Sequence, residues 1–289
     1  MENIEDLKIY TQRMSKGMED KLFFLPFIEK DPVFIDYGCA DGTLIKQICD
    51  MYPDSICFGY DNNEEMLSIA MEKLYGYKNV NLCLTNVLRL LDAAKKYKNL
   101  YALWYTDAIT SRDEILNLSS VIHEVYSYCN ENEIKNFWEH VFGYYGYGFE
   151  RIAIRDMFFQ SKNEFPKQFH SFEQFYNKFI NGINKNGLNK QWRDFTDVNK
   201  DPITYKSIVH FLMKYKYVEN WKREVNENYF PLDFSNLKKI IPERYEIEFE
   251  ESYILPYIWD YVFEDFGIDL DCFTHAKLLL KKKGSQDEK

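Results

Sequence analysis

Apolar residues in the first half of the chain fall into short runs that alternate with stretches of helical spacing. Val33-Phe34-Ile35 is one such run. It ends in Asp36 and a glycine loop, and Leu44 to Met51 then repeats apolar positions three and four apart. The pattern returns with Ile56-Cys57-Phe58-Gly59-Tyr60, closed by Asp61 and followed by a helix-like segment from Glu64 to Leu74. It returns again with Val80 to Leu84 before a helical stretch from Val87 to Tyr97. Ile115 to Ser120 supplies a fourth strand that delivers His123-Glu124 at the start of a helix, and Ile134 to Phe142 reads as a further helix. Arg151 to Arg155, ending at Asp156, is the fifth strand, whereas Leu100 to Tyr105 fits either an extra strand or an inserted hairpin. Strand and helix units repeated at this length call for a parallel sheet with helices on both faces.

Beyond Met157 the rhythm stops for a long aromatic, Asn-rich, helix-leaning stretch, and returns with a helix near Phe234 to Ile240 and strands at Tyr245 to Phe249 and Thr274 to Leu280. The predicted architecture is therefore α/β: a doubly wound, mostly parallel seven-stranded sheet with a largely helical insertion after the fifth strand. Residues 1–30 form a helical cover with Leu7, Tyr10, Met14 and Met18 on one face, 31–157 the core, and 158–232 the insertion. Residues 233–283 complete the sheet, and 284–289 are a frayed tail.

Composition changes this picture in three places. An apolar content of 46% supports an ordinary buried core, and no apolar run is long enough for a membrane span or a secretory signal, so the expected compartment is cytoplasmic. Six cysteines without a C-x-x-C pair point to reduced thiols rather than a zinc site or a disulfide framework. The net charge of -10 disfavours a general attraction to nucleic acid, yet Gln160 to Val225 carries 12 Lys/Arg against 7 Asp/Glu. Segment 160–225 is thus a basic, aromatic stretch on an acidic body. Its rings either stack on bases or, at spacings such as Phe172, Phe175, Tyr176 and Phe179, form a helical core.

The glycine loop narrows the chemistry. Such a loop between a first strand and its helix lets backbone approach a ligand that side chains would exclude. Gly38, Ala40 and Gly42 leave Thr43 where the dinucleotide fingerprint needs its third glycine, and the phosphate-gripping G-x-x-x-x-G-K-[ST] is absent. The string Phe34-Ile35-Asp36-Tyr37-Gly38-Cys39-Ala40-Asp41-Gly42 resembles the first motif of class I S-adenosylmethionine-dependent methyltransferases, an apolar strand followed by D/E-x-G-x-G-x-G. Ala40 stands where the family has its central glycine. The resemblance covers about residues 31–156 and the last strands, and does not reach the insertion.

The resemblance implies S-adenosyl-L-methionine as cofactor, with Asp36, Gly38, Ala40 and Gly42 in the loop. It implies Asp61 and Asn62 at the ribose, Asn86 (or Asp107) at the adenine amino group, and Ser119 beside the transferred methyl. Read without it, Gly38 and Gly42 are turn residues, Asp61 a helix cap and Ser119 a strand-end cap. Transfer of a methyl group needs chiefly position and the exclusion of water, and a base where the nucleophile bears a proton. His123 is the candidate base, with Glu124 beside it projecting differently, and His123 as a cap is the plainer alternative. Tyr126 and Arg155 are candidate substrate contacts at the pocket rim, although Arg155 paired with Asp156 or Glu124 is an equal reading. No histidine has metal-ligand spacing. The expected function is methyl transfer to an oxygen or nitrogen of a small molecule or of RNA or DNA. The alternatives are a cofactor-binding protein without turnover and a nucleotide-dependent enzyme of another class.

Overall fold

The computed structural model describes residues 18–84, 112–143 and 149–284. The helix expected over Val87 to Tyr97, the ambiguous Leu100 to Tyr105, both adenine candidates Asn86 and Asp107, and most of the N-terminal cover lie outside the described residues.

Seven strands form one sheet in the order β3-β2-β1-β4-β5-β7-β6. They are β1 Val33–Tyr37, β2 Ile56–Asp61, β3 Val80–Leu84, β4 Glu114–Ser119, β5 Arg151–Gln160, β6 Tyr245–Tyr253 and β7 Phe273–Lys282. The first five pair in parallel, and β7 runs antiparallel to both β5 and β6. The expected fold class is the observed one. Period-two alternation splits each central strand between two cores. Ile35, Leu116, Leu118, Ile152 and Ile154 face one cluster, while Phe34, Ile115 and Ala153 face the other.

Helices cover both faces because their apolar residues recur on one side of each. On the Phe34 face lie α1 (Met18–Lys21), α2 (Thr43–Met51) and α3 (Glu64–Lys73), which bring Leu44, Ile45, Ile48, Leu67 and Ala70. On the Ile35 face lie α4 (Ile122–Tyr128) and α5 (Glu131–Val141), which bring Val125, Phe137 and Val141. Asn130 starts α5 with a reciprocal capping box to Glu133.

β5, β6 and β7 outrun their sequence boundaries. β5 continues to Gln160 instead of ending at Asp156, because its antiparallel partner β7 keeps pairing through an irregularity between Met157 and Gln160. The connection thus leaves the sheet after residue 160, later than expected. It forms α6 (Phe172–Lys185), α7 (Asn189–Val198), α8 (Tyr205–Leu212) and α9 (Trp221–Glu224). After α10 (Phe234–Ile240) and β6 comes a helix the periodicity did not mark, α11 (Pro256–Phe266). It packs on the insertion: Val262 and Phe266 share a buried cluster with Phe175, Phe179, Phe195 and Phe211. The aromatic residues of segment 160–225 are therefore largely the interior of a third core.

Candidate active site

The loop after β1 is held in shape by its own backbone. Gly38 and Gly42 have φ of 72° and 71°, and Ala40 between them has φ of 47°. Three left-handed residues in five turn the chain back sharply, and at Ala40 this conformation costs an L-residue roughly 1 kcal/mol. The amides of Gly38 and Cys39 donate to the Tyr60 carbonyl, and that of Ala40 donates to Asp61 Oδ2 at 2.8 Å. The second Asp61 oxygen accepts from the Asn63 amide at 2.8 Å. Asn63, not Asp61, caps α3, its side chain accepting from the Met66 amide. Asp61 thus clamps the loop to the end of β2, and each of its oxygens keeps a lone pair for a ligand.

Behind the loop, β1 and β4 are in register so that Asp36 faces Asn117. Asn117 Nδ2 donates to Asp36 Oδ1 at 2.7 Å, and Ser119 Oγ donates to Asn117 Oδ1 at 3.1 Å. Burial pushes the Asp36 carboxyl up to about 7, against the pull of the Asn117 bond and of Lys21. Lys21 is itself brought down to about 8 by burial and by Arg155.

At the C-terminal edge of the sheet the loop opens into a cavity of about 280 Å³. Gly38, Ala40, Asp61, Asn62, Ser119, His123, Glu124 and Arg155 line it, so eight residues singled out in the sequence meet in one space. Asp36 lines a small adjoining pocket with Lys21, Gly38, Ala40 and Ser119. Gly42 lines neither; a Cβ there would sit 2.8 Å from Leu74 and 3.0 Å from the Ala70 Cβ, so Gly42 lets the loop close on α3. Tyr126 is not in the cavity lining. Its hydroxyl accepts from Trp138 Nε1 on α5, while Tyr128, on the other side of α4, is in the lining.

β5 supplies two neighbouring side chains with opposite destinations. Asp156 lies on the side of α4 and is buried with His123: Nδ1 stands 2.8 Å from Asp156 Oδ1, and the Ile122 amide donates to Oδ2 at 2.7 Å. Burial works against the His123 charge. The Asp156 carboxylate outweighs it, aided by Glu124 and Glu227, and His123 is held above the ordinary imidazole value. Burial likewise opposes the Asp156 charge, yet His123 and the backbone amides hold Asp156 below the ordinary carboxylate value. Arg155 turns the other way. Its partners are Asp20 at 2.9 Å, the Tyr253 hydroxyl at 3.1 Å and Ser120 Oγ at 3.1 Å. Pairing of Arg155 with Asp156 or Glu124 is thereby corrected, because successive strand residues point to opposite faces.

The insertion completes the wall with Tyr217, one of the aromatic residues of the basic segment, and with Met213, Arg223, Glu224, Glu227 and Tyr229, which the sequence did not single out. Arg223 donates to Glu124 Oε1 at 2.6 Å and to Glu227 Oε1 at 2.7 Å, and the Tyr128 hydroxyl donates to the same Glu227 oxygen at 3.1 Å. Lys214, buried behind them, donates to the backbone carbonyls of Glu224 and Glu227, which fixes the turn that presents both carboxylates. Only spacing in three dimensions relates Glu227 to His123. The acid-aromatic run from Tyr217 to Tyr229 was its sole trace in the sequence.

No group of three or more His, Cys, Asp or Glu able to hold a metal occurs among the described residues, and no helix there is long and apolar enough to cross a membrane. A profile of the family described as "Methyltransferase domain" matches residues 28–210. Carboxy-S-adenosyl-L-methionine synthase 1 from two strains of Yersinia pseudotuberculosis (serotype IB, PB1/+, and serotype I, IP32953) is 45% identical over 56 residues. That match spans 17% of this chain and only 23% of each relative. Among solved structures, the plantazolicin methyltransferase BamL, bound to a triazolic desmethylPZN analog and SAH, is 11% identical with a TM-score of 0.46, covering 96% of this chain and 90% of that one. The MccD protein is 10% identical with a TM-score of 0.46, covering 93% and 97%.

Proposed function

Because this chain belongs to the methyltransferase-domain family, we propose that it is an S-adenosylmethionine-dependent methyltransferase acting on an oxygen or nitrogen of a small molecule enclosed between the sheet edge and the insertion. The observation that carries this reading is one cavity lined by the glycine loop, by Asp61 at the end of β2 and by His123, with Asp156 behind His123.

The residues present fit the cofactor. Asp61 and Asn62 offer acceptors and a carboxamide to ribose hydroxyls, the left-handed loop keeps side chains away from the nucleoside, and Lys21 and Arg155 supply positive charge for a carboxylate. When bound, the sulfonium supplies an electrophilic methyl group whose sulfur leaves as a neutral thioether. The protein's own part is to position and to move one proton. Asp156 fixes the His123 tautomer, so that Nδ1–H is the donor and Nε2 presents a lone pair to the cavity. His123 is thereby the proton acceptor for a nucleophile that loses a proton, and the insertion keeps water from competing.

Two facts favour a small acceptor over nucleic acid. The aromatic side chains that would stack on bases are largely buried in the insertion's own core, and three carboxylates, Glu124, Glu224 and Glu227, line the acceptor side, where phosphates would be repelled. Calorimetric titration with S-adenosylmethionine, S-adenosylhomocysteine and NAD tests the proposal. The first two are expected to bind and NAD not, with Asp61→Ala weakening binding by roughly 1 to 3 kcal/mol. NAD binding without S-adenosylmethionine binding would refute it.

A further inference from the structure

One gap in the cavity wall is unfilled by the protein. His123 is buried, its Nδ1 is committed to Asp156, and its Nε2 makes no hydrogen bond among the described residues. Glu227 Oε2 stands 3.8 Å from it, too far for a hydrogen bond. Glu227 is buried as well, and its bonds to Arg223 and Tyr128 both use the other oxygen, Oε1. Two polar atoms on buried side chains therefore face one point of the cavity, where its occupant can reach both.

Their chemistry is unusually restrictive. With Asp156 as the acceptor from Nδ1–H, neutral His123 offers at Nε2 a lone pair only, and the Glu227 carboxylate offers lone pairs only. In this neutral state, the one that can accept a proton, neither atom satisfies the other, and each takes its donor from the molecule that fills the cavity. A hydroxyl on the acceptor molecule carries one proton and satisfies one of the two. A nitrogen with two hydrogens satisfies both and still has its lone pair in the remaining direction. Resting on the methyltransferase reading above, we infer that the acceptor atom is the nitrogen of a primary amine, held by His123 Nε2 and Glu227 Oε2 together.

The step balances on these groups. The amine binds as its free base, one N–H on each partner. Its lone pair forms the new nitrogen–carbon bond while the methyl–sulfur bond breaks, leaving its electron pair on sulfur. The nitrogen becomes cationic and passes one proton to His123 Nε2, and Asp156 stabilises the imidazolium that results. The products are a secondary amine, the neutral thioether and a protonated His123, which then returns its proton to solvent. Glu227 keeps the nitrogen oriented throughout.

The test uses the full-length protein saturated with S-adenosylhomocysteine and three probes that are uncharged at neutral pH. Aniline carries two donors on one nitrogen, N-methylaniline carries one, and benzyl alcohol carries one on oxygen. Calorimetry is expected to rank aniline about tenfold tighter than either of the others, the scale of one hydrogen bond to a charged group. The ¹⁵N resonance of His123 Nε2 is expected to shift on saturation with aniline. Glu227→Met is expected to abolish the ranking while S-adenosylhomocysteine still binds. Equal affinities for the three probes overturn the inference and leave the methyltransferase reading standing, as does a ranking that survives Glu227→Met. The wild-type ranking alone decides the matter should the variant fail to fold. Absence of S-adenosylhomocysteine binding to the wild-type protein overturns the methyltransferase reading, and the inference falls with it.

Discussion

His123 and Asp156 hold each other's charge, and the direction of each shift sets how the protein responds to pH. Asp156 is below its ordinary value, so its share of the pair's stability is present above the unfolded carboxylate pKa and is lost as pH falls through the folded one. His123 is above its ordinary value. Its share is complete below the unfolded imidazole pKa and is lost as pH rises through the folded one. The same titration controls catalysis with the opposite sign, since only neutral His123 accepts a proton. The rate kcat/KM is expected to rise with pH along a limb centred above 6.5, the ordinary imidazole value. In Asp156→Asn the limb should move to lower pH and the plateau should fall, because the carboxylate that raises His123 and fixes its tautomer is gone. A pH–rate profile of both proteins checks this; coincident limbs would remove His123 from the proton path. The loop residue Ala40 carries the other local tension. Its φ of 47° explains why a glycine suits this position, and the hydrogen bond its backbone N–H donates to Asp61 Oδ2 holds the alanine in that conformation nonetheless.

At the scale of elements, the strands were legible where one residue in two is buried and the helices where apolar residues recur three and four apart. β1, β2 and α10 accordingly fall within a residue or so of their expected ends. β5 did not, because its last residues are ordered by β7, far away in sequence. α11 was missed for a related reason. Its apolar residues face the insertion, so the signal belongs to a partner that the local window does not contain. Gly182 on α6 marks the contact between these two elements: a Cβ there would lie 2.3 Å from Phe266 Cδ1 and 3.0 Å from two more ring atoms. Alanine in a helix interior is favoured over glycine by about 1 kcal/mol, and overpacking a rigid ring costs typically 1 to 3 kcal/mol. Gly182→Ala is therefore expected to lower stability by roughly 1 kcal/mol, the steric cost outweighing propensity. Denaturant midpoints measure it, and combining the change with Phe266→Leu should recover the loss. A stabilised Gly182→Ala would show that α6 and α11 are not in this contact.

Across the whole molecule, the basic excess of segment 160–225 is spread over exposed helix surfaces and partly neutralised there. Lys190 pairs with Asp194 at 2.7 Å, and Lys216 with Asp265 at 2.6 Å. Exposed pairs of this kind contribute little to stability, and the aromatic rings that would give them a nucleic-acid partner are mostly inside. Neutralising Lys185, Lys190 and Arg193 together is expected to leave methyl transfer unchanged and to have no effect on retention by RNA or DNA at any salt concentration. A strong, salt-dependent retention that vanishes in this variant would restore nucleic acid as the acceptor.

By itself the sequence determined the sheet, the glycine loop, and the residues that meet at the strand ends. Each of these is written in local spacing: period two, period three to four, or a fixed offset from a glycine. Gly38, Asp61, Ser119 and His123 could be named together because parallel strands deliver their C-terminal ends to one edge. Tertiary structure alone decided that Arg155 goes to Asp20 while Asp156 goes to His123, and that Glu227 stands opposite His123 Nε2. It also decided that the insertion's aromatics are core. The reason is the range of the interactions. A hydrogen bond or a packed ring is fixed by distances between segments remote in sequence, and those distances exist only once the sheet, the insertion and α11 have closed on one another.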